Sequence, residues 1–127
     1  DVDPIEKWDK EALDLLQKGS KERNIDFSFI QSDDLDPYLI HSLPNFDLTF
    51  IDTAHSYNQV KNELDAYHSK TNKYIILHDT ISFRYGGWEE DTIGIWPAIT
   101  EFVYSHPEWE IWETLPNCPG MTVLKRK

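Results

Sequence analysis

The chain has 127 residues, which is the size of one ordinary domain and leaves little room for a second independent core. Twelve Lys and Arg residues against 23 Asp and Glu residues give 12 − 23 = −11, so we expect no nucleic-acid partner because phosphate groups would be repelled. No apolar run reaches the roughly 20 residues of a membrane span, and the single Cys118 cannot form a disulfide within the chain. These features predict a folded, acidic, soluble protein in a reducing compartment, the cytoplasm by default, with no membrane partner.

A helix and a strand are the first elements that the sequence predicts. Ile5 to Lys18 places apolar residues at helical spacing, and Gly19 follows as a stop. Ile25 to Ile30 alternates apolar and polar residues and runs into the acids Asp33 and Asp34, which predicts a strand that ends in carboxylates.

A strand, a helix and a second strand come next along the chain. Phe46 to Asp52 is a short apolar run that predicts a strand buried on both faces. Tyr57 to Ser69 repeats apolar residues at helical spacing, and Tyr74 to Thr80 is again an apolar run. This order predicts a βαβ crossover with parallel strands.

The last third of the chain predicts a loop, a helix and a hairpin. Ile81 to Gly94 is irregular and rich in Gly and acids, and it is long enough to form a lid or a substrate wall. Ile95 to Tyr104 predicts a helix, and Trp109 to Thr114 with Met121 to Lys125 predicts an antiparallel hairpin. The sequence therefore predicts an α/β fold with a mostly parallel sheet and a C-terminal hairpin.

Acidic residues stand at the ends of three predicted strands and at the start of the chain. They are Asp33, Asp34, Asp52 and Asp79, together with Asp1 and Asp3, which we expect to close a fourth strand whose body is missing. Because ligands bind outside the carboxyl ends of parallel strands, we expect these acids to converge on one edge of the sheet. Each of them taken alone can instead cap the helix that follows it.

The sharpest local motif is Asp52-Thr53-Ala54-His55. An acid at a strand end and a histidine three residues later can face the same cleft, where the imidazole would serve as a general base. The alternative is that His55 caps the following helix. Asp52 and Asp79 can supply two oxygen ligands to Mg²⁺ or Ca²⁺, whereas His78 and Asp79 reach one metal together only if the strand has already ended.

The remaining histidines and tryptophans predict no site. His41, His68 and His106 lie on predicted surface elements without ligand spacing, and we interpret them as solvated. Trp88, Trp96, Trp109 and Trp112 are interpreted as core or lid packing rather than as a surface for cofactor stacking.

Two motifs together carry a family resemblance. The run from Phe46 through Asp52 and His55 to Tyr57, read with His78-Asp79-Thr80, resembles class I S-adenosylmethionine-dependent methyltransferases. Within that family it looks like the branch with FIDxxHSY and HDT motifs, which includes the cephalosporin hydroxylase-like and sugar O-methyltransferase-like proteins. The resemblance covers most of the chain and implies a Rossmann-like fold.

The resemblance also implies roles for particular residues. Asp1, or Asp3 in the alternative register, matches the acid that binds the cofactor ribose, and Asp33 or Asp34 matches the acid near the adenine amine. Asp52 and Asp79 match the positions that hold a divalent metal in metal-dependent members, and Asp52 also belongs to the expected cofactor edge. His55 matches a proposed base. His78 departs from several metal-dependent relatives, which carry an acid there.

The resemblance further implies that residues 1–127 form a partial methyltransferase domain. By comparison with the family, the chain lacks the first strand, the glycine-rich loop and any substrate-binding N-terminal helices. We expect S-adenosylmethionine as the cofactor, with Mg²⁺ as a second candidate. We expect the methyl acceptor to be a small molecule or a sugar. Assembly into a homo-oligomer is left open. Two alternatives remain, a truncated Rossmann-like binding module without activity and a metal-dependent hydrolase using Asp52 and Asp79.

Overall fold

A computed structural model describes residues 7–127 with the exception of residue 118. The helices within these residues are α1 (Lys7–Glu22), α2 (Pro37–Ser42), α3 (Tyr57–Tyr67) and α4 (Trp96–Ser105), and the strands are β1 (Phe46–Ile51), β2 (Thr71–His78), β3 (Trp109–Leu115) and β4 (Met121–Arg126). A short 3₁₀ turn, His68–Lys70, connects α3 to β2. None of the described helices is both long enough and apolar enough to cross a membrane.

The four strands form one sheet in the order β1-β2-β4-β3. β1 and β2 pair in parallel, with Ile51 opposite Leu77, and α3 connects them. β4 pairs antiparallel with both β2 and β3. The predicted βαβ crossover and the predicted C-terminal hairpin are therefore confirmed, with a single parallel pair among the described strands.

The hydrophobic core lies between one face of this sheet and the helices α3 and α4. Alternation along β2 directs Ile75 and Leu77 to this face, and Leu124 of β4 joins them. Leu64 of α3 and Ile99 of α4 are fully buried against the same layer. Apolar side chains recur every second residue along the strands and about every 3.6 residues along the helices, so each element presents one apolar face to this layer, as the spacing predicted.

The opposite face of β1 is open, which corrects the expectation of a strand buried on both faces. β1 lies at one edge of the sheet that the described residues form, and its residues alternate between the core side and the far side of the sheet. Ile51 is buried, whereas Leu48 and Phe50 are about half exposed. A short apolar run marks a strand, but neighbouring layers decide whether both of its faces are covered.

The predicted strand Ile25 to Ile30 was wrong. All six residues are exposed and lie in irregular chain between α1 and α2. Their alternating pattern is typical of a strand, yet a strand also needs a hydrogen-bonding neighbour, and the sheet built from the described residues contains only β1 to β4. α2 was not predicted; Asp36 caps it by accepting a hydrogen bond from the Tyr38 backbone N–H at 2.9 Å.

Two histidines that we expected to be solvated are partly buried between helices. The rings of His68 and His106 lie 4.5 Å apart and both contact the ring of Phe102. Their Nδ1 atoms lie within hydrogen-bonding distance of the carbonyl oxygens of Leu64 and Phe102. These residues therefore serve packing between α3 and α4, and His41 is exposed as expected.

Candidate active site

Two parallel strand ends bring the predicted acids and histidine together. Because Ile51 of β1 is in register with Leu77 of β2, the residues that follow them leave the sheet side by side. Asp52 and His55 lie in the turn between β1 and α3, and Asp79 directly follows β2. The predicted convergence at the carboxyl edge is confirmed for Asp52, His55 and Asp79.

The meeting point is the imidazole of His55. Its Nε2 atom lies 2.8 Å from Oδ2 of Asp79 and 3.3 Å from Oδ1 of Asp52. The side chains of His55 and Asp79 are 14% and 15% exposed, whereas that of Asp52 is 47% exposed. The site thus contains two shielded groups and one carboxylate that faces solvent.

Asp79 owes its position to an unusual backbone conformation. Its φ is 58°, in the left-handed region that aspartate tolerates better than most residues. The amide of Phe83 donates to the Asp79 carbonyl at 3.0 Å, and the amide of Thr80 donates to the Gly120 carbonyl at 3.3 Å. This turn ends β2 directly after His78, and Nδ1 of His78 comes within 3.1 Å of Oδ1 of Asp79. The end of the strand is the condition under which these two adjacent side chains can approach the same point.

The loop between β2 and α4, which was predicted to form a lid or a substrate wall, contacts His55. The ring of Phe83 stacks on the His55 ring at 4.7 Å with an interplanar angle of 19°. The backbone amide of Trp88 donates to the His55 carbonyl at 3.1 Å. Gly87 is required here because a Cβ atom would lie 3.1 Å from that same carbonyl oxygen and 2.2 Å from Oγ1 of Thr92. The loop therefore fixes both the ring and the backbone of His55.

Of the four tryptophans expected in core or lid packing, Trp96, Trp109 and Trp88 fit the expectation, whereas Trp112 does not. Trp109 is fully buried under the guanidinium of Arg126, and Trp96 packs partly buried against the core. Trp88 is 71% exposed beside His55 and Phe83. Trp112 is half exposed on the sheet.

Asp33 and Asp34 do not join the cluster at His55. Oδ1 of Asp33 accepts a hydrogen bond from the Leu35 amide at 2.9 Å, which is a local turn. Oδ2 of Asp34 accepts one from the side-chain amide of Gln59 at 3.1 Å, and its carbonyl accepts one from the Tyr67 hydroxyl. Asp34 is thereby held against α3 near the turn that follows β1. Asp1 and Asp3 lie outside the described residues.

Sequence reasoning missed Glu63, a buried acid beside this region. Glu63 is 1% exposed, and its Oε1 accepts hydrogen bonds from Thr53, which follows Asp52, and from Gln59. Burial and the neighbouring Asp34 carboxylate raise the pKa of Glu63 to about 8. Burial also raises the pKa of the Tyr67 hydroxyl, with the charges of Asp34 and Glu63 adding to the effect.

A signal for Glu63 was present in the sequence. Val60, Leu64 and Tyr67 form the apolar stripe of α3, and Glu63 occupies the i+3 position of that stripe. A carboxyl group at a core-facing position is either paired or protonated. With its pKa raised to about 8, Glu63 is expected to be protonated at neutral pH. Gln59 donates hydrogen bonds to both Asp34 and Glu63, and Glu63 also accepts one from Thr53, the residue after Asp52.

The donor set at His55 combines two carboxylates with one imidazole nitrogen. Asp52, His55 and Asp79 each place one ligand atom so that all three atoms lie within 4.8 Å of one another. Mg²⁺ prefers an octahedral shell of oxygen atoms with several waters. A buried imidazole nitrogen is one of the three donors here, whereas Asp52 and Asp79 alone supply the one or two carboxylates that usually hold Mg²⁺. Binding of Mg²⁺ by these two residues therefore stays a prediction.

Comparisons with known proteins identify the fold and no family. No protein-family model matches the chain, and no curated protein matches it. Solved structures do match: a protein from Corynebacterium glutamicum is 19% identical with a TM-score of 0.64 over 92% of this chain and 56% of its own. The SAH-bound methyltransferase PaMTH1 from Podospora anserina is 13% identical with a TM-score of 0.56 over 92% of this chain and 57% of its own.

These likenesses define the class of fold as Rossmann-like α/β. At 19% and 13% sequence identity, these structural likenesses show the fold and not the function of the chain. The chain spans a little more than half the length of either structure.

Proposed function

We propose that the chain takes part in methyl transfer from S-adenosylmethionine to an oxygen atom of a small molecule or sugar. The observation that carries this proposal is the convergence of His55 with Asp52 and Asp79 at the carboxyl edge of a Rossmann-like sheet. Such an edge is where open α/β sheets bind ligands. The likeness of the fold to an SAH-bound methyltransferase supports the choice of donor.

The donor would lie along the same edge, next to the acids that follow the strands. In the proposal Asp33 or Asp34 contacts the adenine, Asp52 belongs to the donor edge, and Asp1 or Asp3 contacts the ribose. The structure supports a position near this edge for Asp34, because Gln59 and Glu63 connect it to Thr53. When bound, the donor supplies a methyl group on a positively charged sulfur.

His55 acts as the general base on the acceptor. The acceptor O–H bond breaks and its proton moves to the His55 imidazole, while a C–O bond forms and the C–S bond of the donor breaks. The sulfonium becomes a neutral thioether, so the positive charge ends on the imidazole. Oδ1 of Asp52 and Oδ2 of Asp79 lie 3.3 Å and 2.8 Å from Nε2 and stabilise that charge.

The surroundings of His55 favour this role over helix capping. Ser56 occupies the N-cap position of α3, which leaves the His55 side chain free to face the two carboxylates. The Phe83 ring beneath the imidazole keeps the ring in one orientation. A base held in place in this way needs little reorganisation when the acceptor binds.

Labelled methyl transfer tests the proposal. The protein is incubated with S-adenosylmethionine labelled at the methyl group and with a panel of free sugars and phenols. Loss of a general base lowers rates by about 100-fold to 10,000-fold, so we expect His55→Ala to lose at least 100-fold. His41→Ala, on the exposed surface of α2, is the matched control and should retain the wild-type rate.

Calorimetric titration of S-adenosylmethionine separates this proposal from its rival, a binding module without activity. Donor binding in the wild-type protein, together with the loss of transfer in His55→Ala, supports the proposal. Absence of donor binding at millimolar concentration contradicts it and favours the rival.

A further inference from the structure

Two carboxyl groups lie side by side where α3 meets the chain that precedes α2. Glu63 of α3 is 1% exposed, and Asp34 is half-buried. Burial of Glu63 and a hydrogen bond with the Asp34 side chain both raise the pKa of Glu63. Because ionised carboxylates have only acceptor atoms, this bond requires a proton on one of the two groups.

The contacts of Glu63 indicate which oxygen atom carries that proton. Its Oε1 atom accepts hydrogen bonds from the Thr53 hydroxyl and, at 2.9 Å, from the side-chain amide of Gln59. Its Oε2 atom is buried and has no donor among the described residues. A buried carboxylate oxygen without a donor is costly when charged, whereas a protonated Oε2 is itself a donor to Asp34. The proton therefore belongs on Oε2 of Glu63, and the more exposed Asp34 keeps the negative charge.

Two further hydrogen bonds attach the Asp34 segment, residues 33–36, to α3. The side-chain amide of Gln59 donates to Oδ2 of Asp34 at 3.1 Å, and the Tyr67 hydroxyl donates to the Asp34 carbonyl at 2.5 Å. The segment continues directly into α2, which Asp36 caps. Asp34 is thus a point at which the segment and α2 are fastened to α3.

The groups that face the Glu63 carboxyl contain no cation. The polar groups that contact it in the described part of the chain are Asp34, Thr53 and Gln59. Tyr67, one turn further along α3, is the other titratable group beside the pair, and it responds to the charges of Asp34, Glu63 and Asp33. Ionisation of Glu63 therefore places a second negative charge beside Asp34 with no positive charge to offset it.

We propose that Glu63 and Asp34 share one proton in a carboxyl–carboxylate pair, which holds residues 33–36 against α3 at neutral pH and releases them when Glu63 ionises. Because the pKa of Glu63 is raised to about 8, the pair is closed below that pH and opens above it. The pair does not depend on methyl transfer being correct. In the proposed function it controls the position of Asp34, a candidate contact of the donor.

NMR titration of the full chain tests the shared proton. The side-chain carboxyl ¹³C signal of Glu63 should titrate with a midpoint of about 8. Asp34→Asn removes the neighbouring charge, so the midpoint should move to lower pH. Asp65→Asn, at an exposed acid of the same helix, is the matched control and should leave the midpoint unchanged. An unchanged midpoint in folded Asp34→Asn would overturn the inference, because burial alone would then account for the shift.

Backbone ¹⁵N relaxation tests the release of residues 33–36. Rigid backbone has an order parameter of about 0.85 and flexible backbone one below about 0.6. We expect the amides of Leu35 and Asp36 in the wild type to be near the first value at about pH 6 and below the second at about pH 9. Glu63→Gln, whose neutral side chain can still donate to Asp34, should stay rigid at both pH values.

Circular dichroism at both pH values checks that each protein is folded. The inference is overturned if residues 33–36 of the wild type have the same order parameters at about pH 6 and about pH 9, or if folded Glu63→Gln becomes as flexible as the wild type at the higher pH.

Discussion

Replacement of Glu63 by glutamine should stabilise the protein, and the gain should grow with pH. Glu63 is buried beside Asp34, and its pKa is raised from the usual 4.5 to about 8. The folded chain therefore holds this proton more tightly than the unfolded chain does. Its contribution to stability is fully present below pH 4.5 and is lost as the pH rises to about 8.

The size of the effect follows from the two pKa values. Each unit of difference corresponds to about 1.4 kcal/mol, so the wild-type protein should lose about 3 kcal/mol of unfolding free energy through this group between about pH 5 and pH 8. Glutamine has the shape of a protonated glutamate and stays neutral, and its amide can donate to Asp34. The variant should match the wild type near pH 5 and exceed it by about 3 kcal/mol near pH 8.

Urea unfolding at a series of pH values measures this difference directly. Glu101→Gln is the matched control, because Glu101 is exposed and its hydrogen bond with Lys61 lowers its pKa, so that its titration is complete below this window. The reasoning is refuted if the stability difference between Glu63→Gln and wild type stays constant from about pH 5 to pH 8, or if the control shows the same growth with pH.

Two further substitutions test the walls of the site through stability. Gly94→Ala should destabilise the protein by about 2 kcal/mol or more, because a Cβ atom would lie 2.4 Å from the carbonyl oxygen of Phe83. Gly86→Ala, where a Cβ atom meets nothing within 4 Å, is the control, and equal melting temperatures for both variants would contradict the packing described here. Thr122→Val should cost about 1–2 kcal/mol in urea unfolding, because the buried Thr122 hydroxyl donates to the Thr80 hydroxyl at 3.1 Å; an unchanged midpoint would show that this bond contributes nothing.

The parts of the fold that the sequence predicted best are those with a strong local pattern. The apolar runs of β1 and β2 and the helical spacing of α3 depend on neighbours only a few residues away. The strand predicted over Ile25 to Ile30 has an equally good pattern and yet lies exposed outside the sheet. A strand depends on a partner strand that is often far along the chain, and alternation of apolar and polar residues carries no information about that partner.

In the candidate site, too, some residues could be predicted from the sequence pattern, whereas others depend on contacts with distant parts of the chain. Asp52, His55 and Asp79 were predictable because parallel strands always end at one edge, so the topology alone brings them together. Asp34 was expected to follow a strand and join these residues, but it follows irregular chain, and its contact with Gln59 depends on how the chain after α1 returns to α3. Glu63 was missed because a glutamate on a helix is usually solvated, and only its place within the apolar stripe marked it as buried.

The central claim is that His55 is the base for methyl transfer at the carboxyl edge of the sheet. Its most direct test is the rate of labelled methyl transfer from S-adenosylmethionine by wild type, His55→Ala and His41→Ala, compared side by side. The account predicts transfer by wild type and His41→Ala and a loss of at least about 100-fold in His55→Ala. Equal transfer by wild type and folded His55→Ala would contradict it.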